Sequence, residues 1–391
     1  MRVHIHGDPE AALPMPDPTP LRIATYNASL HDAAAGGLVA RLAADDAGAR
    51  KIAAVLQRVR PDILLLNEFD HDADGRAADR FQRDYLARVQ PGGGAPLHYP
   101  HRYFAPTNTG VASGLDLDGD GTLGQQGREY GNDAWGYGLH PGQYGMLVLS
   151  RHPIEVAAVR TFQHLKWSAL PGARRPLDPQ TGAPWHPDAV WHQLRLSSKS
   201  HWDVPVRTPH GTLHLLVSHP TPPVFDGPED RNGARNHDEI RLWREYITPG
   251  PKPWLCDDRG HCGGLADAAR FVIAGDLNND PVDGDGVHAA ILDLLAHPRV
   301  LRFPAPSSEG AAFAAGADHP ARRSDPAHAS ADFGHATGPL RVDYALPSTG
   351  WTVIDRGVFW PRPDQPGSAI VDGSDHRLVW VDLRAADAAR R

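Results

Sequence analysis

The amino-acid sequence predicts a mixed α/β fold, and three observations support this prediction. Short apolar runs of strand length recur from residue 21 to residue 383, and segments with helical spacing lie between some of them. Several of these runs end abruptly in acidic, amide or imidazole residues. The 391 residues include 39 glycines and 37 prolines, which indicates many turns and long loops.

The predicted strands are short and apolar, which is typical of strands buried in a sheet. They lie at 21–26, 63–66, 146–149, 191–206, 211–218, 271–274, 341–346 and 378–383. A helix is predicted at 48–59, because Ile52, Val55 and Val59 share one helical face. Two further helices are predicted at 236–246 and 288–295.

We expect one domain at residues 21–384, since the strand-end polar residues span nearly the whole chain. Residues 1–20 are rich in proline and predict an extended N-terminal arm, and 385–391 predict a C-terminal tail. Glycine-rich or weakly periodic stretches predict long loop insertions near 91–142 and 160–190. No internal repeat of fixed period is present.

Composition and charge exclude several classes of protein. Hydrophobic residues make up 41% and charged residues 22%, which is typical of a globular protein and not of a disordered one. No segment approaches the roughly 20 apolar residues of a membrane-spanning helix. The formal net charge of −8 argues against binding to nucleic acid through a basic surface, but it does not exclude an enzyme that meets phosphate through a metal.

Two cysteines, Cys256 and Cys262, lie close together in a polar stretch that contains glycine. This spacing favours a small disulfide loop over two free thiols, and a zinc site is disfavoured because a second ligand pair is missing. A disulfide indicates an oxidising compartment, so we expect a secreted or periplasmic protein. The chain carries no secretory signal at its start, and a cytoplasmic location stays the alternative.

Six segments combine an apolar strand with polar residues that carry chemistry. Their polar residues are Asn27, Asn67 and Glu68, His219, Asp276 and Asn278, Asp343, and Asp375 and His376. If the strands end at one rim, these side chains converge on one cleft. Carboxylates gathered in this way require a cation, and ligands that are rich in oxygen and free of thiols suit Mg²⁺ or Mn²⁺. The histidines supply proton transfer near neutral pH.

This ordered set resembles the endonuclease/exonuclease/phosphatase superfamily, which includes pancreatic-type deoxyribonucleases, apurinic endonucleases, inositol-polyphosphate 5-phosphatases and bacterial sphingomyelinases. The resemblance covers approximately residues 21–384 and points to a bacterial secreted-type phosphoesterase branch. It implies an α/β (α+β) fold built as a four-layer sandwich, with two packed mixed β-sheets flanked by helices and the active site at one rim.

The resemblance also implies roles for individual residues. Glu68 resembles the principal metal ligand, with Asn27 beside it as ligand or orienter and Asp375 as a further carboxylate on the metal side. Asp276 resembles the residue that orients or deprotonates water, and Asn278 a donor to the phosphate. His376 resembles the histidine on the scissile phosphate, with Asp343 fixing its tautomer, and His219 the general acid. Either Asp276 or the His376–Asp343 pair is the base.

Two segments outside this set are candidates for contact with substrate. Arg231 and Arg235 can clamp a substrate phosphate through their planar guanidinium groups, or they form salt bridges at the start of a helix capped by Asn236. The polar run from Ser198 to Trp202 is unusual for a simple edge strand and is a candidate to face the substrate.

Residues 116–121 match the beginning of a calcium-binding loop. Asp116, Asp118 and Asp120 occupy its first, third and fifth positions, and a glycine follows at the sixth. The twelfth position is Gly127 instead of glutamate, and Glu129 follows two residues later, which disfavours a complete calcium-binding hand. The alternatives are a partial Ca²⁺ site that orders the insertion and a solvated acidic turn.

The sequence therefore predicts a monomeric, divalent-metal-dependent phosphoesterase that attacks a small or extracellular organic phosphate with water. The first alternative is a metal-dependent endonuclease or exonuclease, although nucleic acid is not the favoured substrate. An alternative of another class is a catalytically inactive, calcium-stabilised binding protein. A zinc-dependent hydrolase is disfavoured, because the chain has no His-Glu-x-x-His motif.

Overall fold

The structure is a computed structural model that describes residues 19–316 and 322–386. The strands in these residues are β1 (Leu21–Leu30), β2 (Ile63–Phe69), β3 (His101–Phe104), β4 (Met146–Ser150), β5 (Arg160–Thr161), β6 (His201–Thr208), β7 (Gly211–Ser218), β8 (Arg270–Asp276), β9 (Ala331–Asp332), β10 (Pro339–Leu340), β11 (Asp343–Pro347), β12 (Trp351–Val358) and β13 (Val379–Ala385). The helices are α1 (Gly37–Ala43), α2 (Ala47–Val59), α3 (Arg76–Arg80), α4 (Gly127–Asn132), α5 (Asp188–Trp191), α6 (Arg231–Ile247), α7 (Ala289–Leu295), α8 (Glu309–Ala314) and α9 (Gly334–Thr337). A π-helical segment, Phe81–Leu86, continues α3.

Two mixed sheets form the centre of the molecule. The first has the strand order β12-β13-β1-β2-β4-β3 and the second the order β11-β8-β7-β6-β5. Only β1 with β2 and β7 with β8 pair in parallel among the pairs within these two sheets. β9 and β10 form a separate two-stranded ribbon.

Alternation along the strands explains why each sheet is covered on both faces. On β2, Ile63 and Leu65 pack against the second sheet, whereas Leu64 and Leu66 face the helices. On β8, Val272 belongs to the core between the sheets. The near-continuous apolar runs in the sequence therefore reflect burial on two faces.

Helices complete the outer layers. Residues of α1, α2, α3 and the π-helical segment cover the first sheet, and residues of α6 and α7 cover the second. The resulting four-layer α/β sandwich confirms the predicted fold class.

The structure corrects several predicted elements. The strand predicted at 191–206 begins only at His201, because the carbonyl oxygens of Arg195 and Leu196 accept hydrogen bonds from Arg235 of α6. The edge strand β12 was not predicted, since charged residues interrupt its apolar pattern. The predicted insertion at 91–142 contains a further edge strand, β3.

Helix α6 begins at Arg231, five residues before its predicted start, so Asn236 lies inside the helix and does not cap it. The predicted arm falls on residues of which only 19 and 20 are described, and residues 387–391 of the predicted tail lie outside the described residues. Ala385 belongs to β13.

Cys256 and Cys262 form the predicted disulfide at the base of a loop that lies beside the edge strand β5. Arg160 holds this loop by donating to the carbonyl oxygens of His261 and Gly263. Within the described part of the chain, no helix combines the length and the apolarity needed to cross a bilayer.

Candidate active site

The polar strand ends meet at one rim of the sandwich. β1 pairs with β2 so that Asn27 lies beside Asn67, and β11 pairs with β8 so that Asp343 lies beside Asp276. β7 ends at Ser218, which places His219 at the same edge. The two sheets therefore contribute side chains to one cluster, as the strand-end pattern predicted.

Asp276 lies at the centre of this cluster. Its Oδ2 atom lies 3.1 Å from Asn27 Nδ2, 3.3 Å from His219 Nε2 and 3.6 Å from His376 Nε2. Its Oδ1 atom accepts the backbone amide of Asn278 at 2.9 Å. Burial opposes ionisation of Asp276, but the neighbouring histidines and the Asn27 amide hold its pKa below the ordinary range. The cluster thus stabilises a buried carboxylate.

His376 connects Asp276 to Asp343. His376 Nδ1 lies 2.9 Å from Asp343 Oδ2, which also accepts a hydrogen bond from Ser330 Oγ at 2.8 Å. All three titratable side chains are buried. Burial disfavours the imidazolium, yet the carboxylates of Asp343 and Asp276 raise the pKa of His376. The arrangement can hold a proton on His376 and orient the ring.

Glu68 lies at the edge of this cluster. Its backbone φ is 53°, in the left-handed region that residues with side chains rarely adopt. Its carboxylate accepts from Asn27 Nδ2 at 3.0 Å and lies 3.4 Å from His31 Nε2. Asn27 thus joins the carboxylates of Glu68 and Asp276 as a hydrogen-bond donor.

Asp375 is exposed and does not contact Glu68 directly. Its Oδ1 atom lies 3.4 Å from the hydroxyl oxygens of both Ser29 and Ser374. Ser29 in turn donates its backbone amide to Asn27 Oδ1 at 3.3 Å. Two serines therefore place Asp375 beside the Asn27–Glu68 pair without a direct bond.

These residues fit a hard divalent cation. No arginine or lysine among the described residues forms an ion pair with Glu68 or Asp375, so their carboxylate oxygens are available to a metal. No thiol lies in the cluster, and oxygen ligands suit Mg²⁺ or Mn²⁺. Asp276, Asp343 and His376 also bring potential ligand atoms within 4.8 Å of one another. The hydrogen bond between Asp343 and His376 already uses one ligand atom from each of them.

His219 and Asn278 are placed differently from each other. His219 is buried, and its Nδ1 atom has no hydrogen-bond partner among the described residues. Burial, followed by the nearby Lys199 ammonium, lowers the pKa of His219. Asn278 has a left-handed φ of 51°, and its side-chain amide donates to the Pro220 carbonyl at 3.0 Å. The Asn278 side chain is thus already bonded to the backbone, whereas Nδ1 of His219 has no hydrogen-bond partner among the described residues.

A cavity of about 450 Å³ opens beside the cluster, with Glu68 and His219 in its wall. Segments from the predicted insertions and the loop before α6 form most of the remaining wall. Arg231 and Arg235 both line this cavity. Arg231 forms an ion pair with the buried Glu229, and Arg235 donates to the carbonyl oxygens of Trp135, Arg195 and Leu196.

Lys199 is a cavity residue that the sequence analysis did not identify individually, although the polar run from Ser198 to Trp202 was a candidate segment. Lys199 is buried and has no ion pair within the described part of the chain. Burial lowers the pKa of its ammonium, while the charges of Glu239, Glu68 and Asp276 oppose that shift. The signal in the sequence that could have identified this residue was a lysine inside the polar run from Ser198 to Trp202.

Glu239 is a second polar residue that sequence reasoning missed. It lies inside α6 and accepts hydrogen bonds from the backbone amides of Ser198 and Thr221, at 2.7 and 2.6 Å. It thereby joins the two segments that carry Lys199 and His219. No sequence signal distinguishes it from a solvated helical glutamate.

Asp116, Asp118 and Asp120 come together in a tight turn, with ligand atoms within 4.8 Å of one another. Asp116 accepts the amides of Gly119 and Gly121, and Asp118 accepts the side chain of Asn132 at 2.8 Å. Leu117 and Asn132 line the cavity, so this turn supports one of its walls. Calcium binding at this turn stays a prediction.

Comparisons with known proteins identify the family. The sequence profile described as the Endonuclease/Exonuclease/phosphatase family matches residues 24–376. No curated protein matches the chain significantly.

Several solved structures resemble the chain at low identity. An endonuclease/exonuclease/phosphatase from Beutenbergia cavernae is 18% identical, with 95% of this chain and 73% of that chain covered and a TM-score of 0.49. Sphingomyelinase C from Streptomyces griseocarneus is 16% identical, with 93% and 99% covered and a TM-score of 0.46. A beta toxin variant from Staphylococcus aureus with bound magnesium ions is 11% identical, with 94% and 100% covered and a TM-score of 0.43. The family assignment rests on the profile match and not on these distant similarities.

Proposed function

The chain belongs to the endonuclease/exonuclease/phosphatase family, and on that premise we propose that it hydrolyses a small organic phosphate ester with a divalent metal. Members of this family are in general metal-dependent hydrolases of phosphoester bonds. Water attacks phosphorus in line and displaces an alcohol or phosphate group.

The cavity beside Glu68 and His219 is the observation that supports a small substrate. Its volume of about 450 Å³ lies in the range of pockets that enclose a small molecule. Part of its wall is apolar and aromatic, including Leu117, Tyr144 and Trp167. Such a wall encloses the organic part of an ester next to the catalytic cluster.

Glu68 and Asp375 are the residues that would hold the metal, with Asn27 orienting Glu68. When bound, such a metal neutralises charge on the phosphoryl oxygens and the leaving group. The Asn27 hydrogen bond keeps the Glu68 carboxylate fixed beside Asp276. The side-chain amide of Asn27 therefore connects Glu68, the proposed metal ligand, to Asp276, which takes part in activating water.

We assign activation of water to Asp276 and His376 acting as a unit with Asp343. Asp276 Oδ2 and His376 Nε2 are 3.6 Å apart, and Asp343 orients the other ring nitrogen. One member of this unit accepts the proton of the attacking water, and the roles of Asp276 alone and of the His376–Asp343 pair stay alternatives.

Lys199 and His219 are the donors that we place on the phosphate and the leaving oxygen. Both line the cavity, and the Lys199 ammonium has no ion-pair partner within 4.0 Å in the described residues. Donors that are fixed before the reaction stabilise the charge of the transition state strongly in a site that excludes water. Asn278 would contribute once its side chain leaves the Pro220 carbonyl.

The test is hydrolysis of p-nitrophenyl phosphate and bis-p-nitrophenyl phosphate, each with Mg²⁺, Mn²⁺, Ca²⁺ or EDTA. We expect metal-dependent release of nitrophenol that EDTA abolishes, and loss of this activity in Glu68→Gln. The exposed Asp372→Asn variant serves as a control that keeps activity. If the folded protein hydrolyses neither ester with any of these metals and also does not nick supercoiled plasmid DNA, the catalytically inactive binding protein is favoured.

A nuclease is the second candidate, because exposed aromatic residues lie at the cavity. Tyr137 is 45% and Phe225 78% exposed, and both belong to its lining. Exposed aromatic side chains can stack on nucleobases. Supercoiled plasmid therefore serves as a third substrate, and nicking at enzyme concentrations comparable to those that cleave the small esters would favour this alternative.

A further inference from the structure

The charge of the cavity wall is opposite to that of the whole protein. The chain has a formal net charge of −8, yet the charged residues in the wall are Arg128, Lys199, Arg231 and Arg235 against the single acid Glu68. Glu68 is the proposed metal ligand, so its charge is compensated when a metal binds. Arg231 pairs with the buried Glu229, so the remaining excess of positive charge comes from Arg128, Lys199 and Arg235, and this excess suits an anionic ligand.

Lys199 is a cavity cation that interacts with the catalytic cluster. Lys199 interacts electrostatically with Glu68 and Asp276, and also with Arg235. Asn236, the residue after Arg235, donates to the carbonyl oxygen of Leu277 at 2.9 Å, next to the catalytic strand end. Arg231 precedes Asn236 by five residues, which corresponds to about 7.5 Å along the axis of α6. The backbone of Arg231 therefore lies more than one helical turn from the contact between Asn236 and Leu277.

Arg231 and Arg128 keep hydrogen-bond donors available. Within the described residues, Arg231 contacts Glu229 through Nη1 alone, which leaves Nε and Nη2 without a bond. Arg128 lies at the first turn of α4 and has no ion pair among the described residues. Arg235 differs, because three backbone carbonyl oxygens use its donors. Arg231 and Arg128 are thus the guanidinium groups with capacity for a ligand.

His186 also lines the cavity, and the positive charge of nearby arginines acts on it. It is buried in the cavity wall and flanked by charged arginines. Burial, together with the charges of Arg231, Arg235 and Arg175, lowers the pKa of His186 to about 4. A neutral imidazole between guanidinium groups can still donate one hydrogen bond to an anion.

We propose that Arg231 and Arg128 bind a second anionic group of the substrate, a phosphate or a carboxylate, in the same cavity as the reacting phosphate. The substrate class is then a phosphate ester whose organic part carries another negative charge. This inference rests on the proposed function, since it assumes that the reacting phosphate lies at the metal. Guanidinium groups bind both anions through paired, charge-assisted hydrogen bonds.

The experiment is calorimetric binding in the presence of Mg²⁺, using three probes with a six-carbon backbone. Glucose 6-phosphate has a neutral remote end, 6-phosphogluconate has a remote carboxylate, and fructose 1,6-bisphosphate has a remote phosphate. We expect at least one doubly anionic probe to bind about tenfold more tightly than glucose 6-phosphate. Which of the two gains affinity identifies the anion.

Variants separate this subsite from the reacting centre. Arg231→Gln and Arg128→Gln should each remove most of the tenfold preference and leave the affinity for glucose 6-phosphate unchanged. Arg128→Gln is included because Arg231 pairs with a buried carboxylate and its replacement can impair folding. Arg244→Gln is the matched control, since Arg244 lies on α6 outside the cavity lining.

Two outcomes separate failure of the second anionic subsite from failure of the proposed phosphoesterase function. Equal affinity of the wild type for the three probes, or an equal loss for all probes in Arg128→Gln, overturns the second anionic subsite. A preference for doubly anionic probes without hydrolysis of any ester leaves the subsite standing and removes the proposed phosphoesterase function.

Discussion

Glu68 and Asn278 are held in left-handed backbone conformations at the rim of the sandwich. Their φ values are 53° and 51°, and neither residue is glycine. Such conformations cost of order 1–3 kcal/mol each and persist only where surrounding contacts impose them. Here those contacts include the Asn27 bond to Glu68 and the bond from the Asn278 amide to Asp276. The left-handed backbone therefore sets the direction of the Glu68 and Asn278 side chains, and the Asn278 amide is directed to the Pro220 carbonyl.

Asp276→Asn should lower turnover by about two to four orders of magnitude, because the carboxylate that anchors Asn27, His219 and His376 is lost. The melting temperature should also fall, because the low pKa of Asp276 means that its ionised form stabilises the folded state at neutral pH. Steady-state kinetics on the preferred nitrophenyl ester, with calorimetry on the same samples, measures both. A variant that keeps the wild-type rate would remove Asp276 from the mechanism.

Lys199→Met should lower kcat/KM by about 100-fold without loss of stability. The ammonium is proposed to donate to the phosphate, and removal of one such donor has an effect of this size. Its burial without an ion pair in the described residues is unfavourable to folding, so methionine should be at least as stable. Lys166→Met is the matched control, because Lys166 bonds to the Gln193 carbonyl outside the cavity lining. Unchanged kinetics in Lys199→Met would leave the lysine without a catalytic part.

At the scale of elements, α6 connects the cavity to the core. Its buried face carries polar residues as well as apolar ones, including Asn236, Asp238 and Glu239. Asp238 accepts the Trp167 indole at 2.7 Å, and Glu239 accepts the backbone amides of Ser198 and Thr221. The helix thereby positions the loops that carry cavity residues. Its first turns lack an apolar stripe, which is why periodicity placed its start too late.

The turn at Asp116–Asp120 is a second element whose predicted role, calcium binding, can be tested. If the three aspartates bind Ca²⁺, added calcium should raise the melting temperature of the wild type by a few degrees and leave that of Asp118→Ala, which lacks a ligand oxygen, unchanged. Differential scanning calorimetry with Ca²⁺ or EDTA measures this shift. Asp178→Ala, which alters another exposed aspartate turn, is the matched control. Absence of any calcium effect on the wild type would mean an ordinary acidic turn.

At the scale of the whole molecule, buried histidines should make the protein sensitive to acid. Burial lowers the pKa of His201 to about 4, and the ring bonds to Ser197 and to the Glu239 carbonyl. Between about pH 6.5 and 4 the unfolded chain binds a proton that the folded chain does not. The free energy of unfolding should therefore fall as pH falls through this range, by about 1.4 kcal/mol per pH unit for this group.

Urea unfolding at several pH values between 6.5 and 5 measures this dependence. His201→Gln should show a shallower dependence than the wild type, by about one proton. His261→Gln, which replaces a largely exposed histidine, should behave like the wild type. Equal slopes for all three proteins would mean that His201 titrates normally in the folded state.

Local patterns in the amino-acid sequence were enough to predict a mixed α/β fold and the strand ends that carry polar side chains, and the family resemblance added the four-layer arrangement. Both are local signals: apolar runs mark strands buried on two faces, and an abrupt Glu68 or Asp276 marks where a strand reaches the rim. The family resemblance then supplied roles for these residues. The disulfide between Cys256 and Cys262 was also predictable, because only a short loop separates the cysteines.

The set of side chains that share the cavity became visible only in the folded chain. Lys199 and Arg231 are distant in sequence, and no local pattern shows that both line one wall with Glu68. The same holds for Asn27, whose donor contacts to Glu68 and Asp276 depend on how the two sheets pack. Local sequence sets periodicity and strand ends, whereas the charge of a cavity depends on contacts between distant segments.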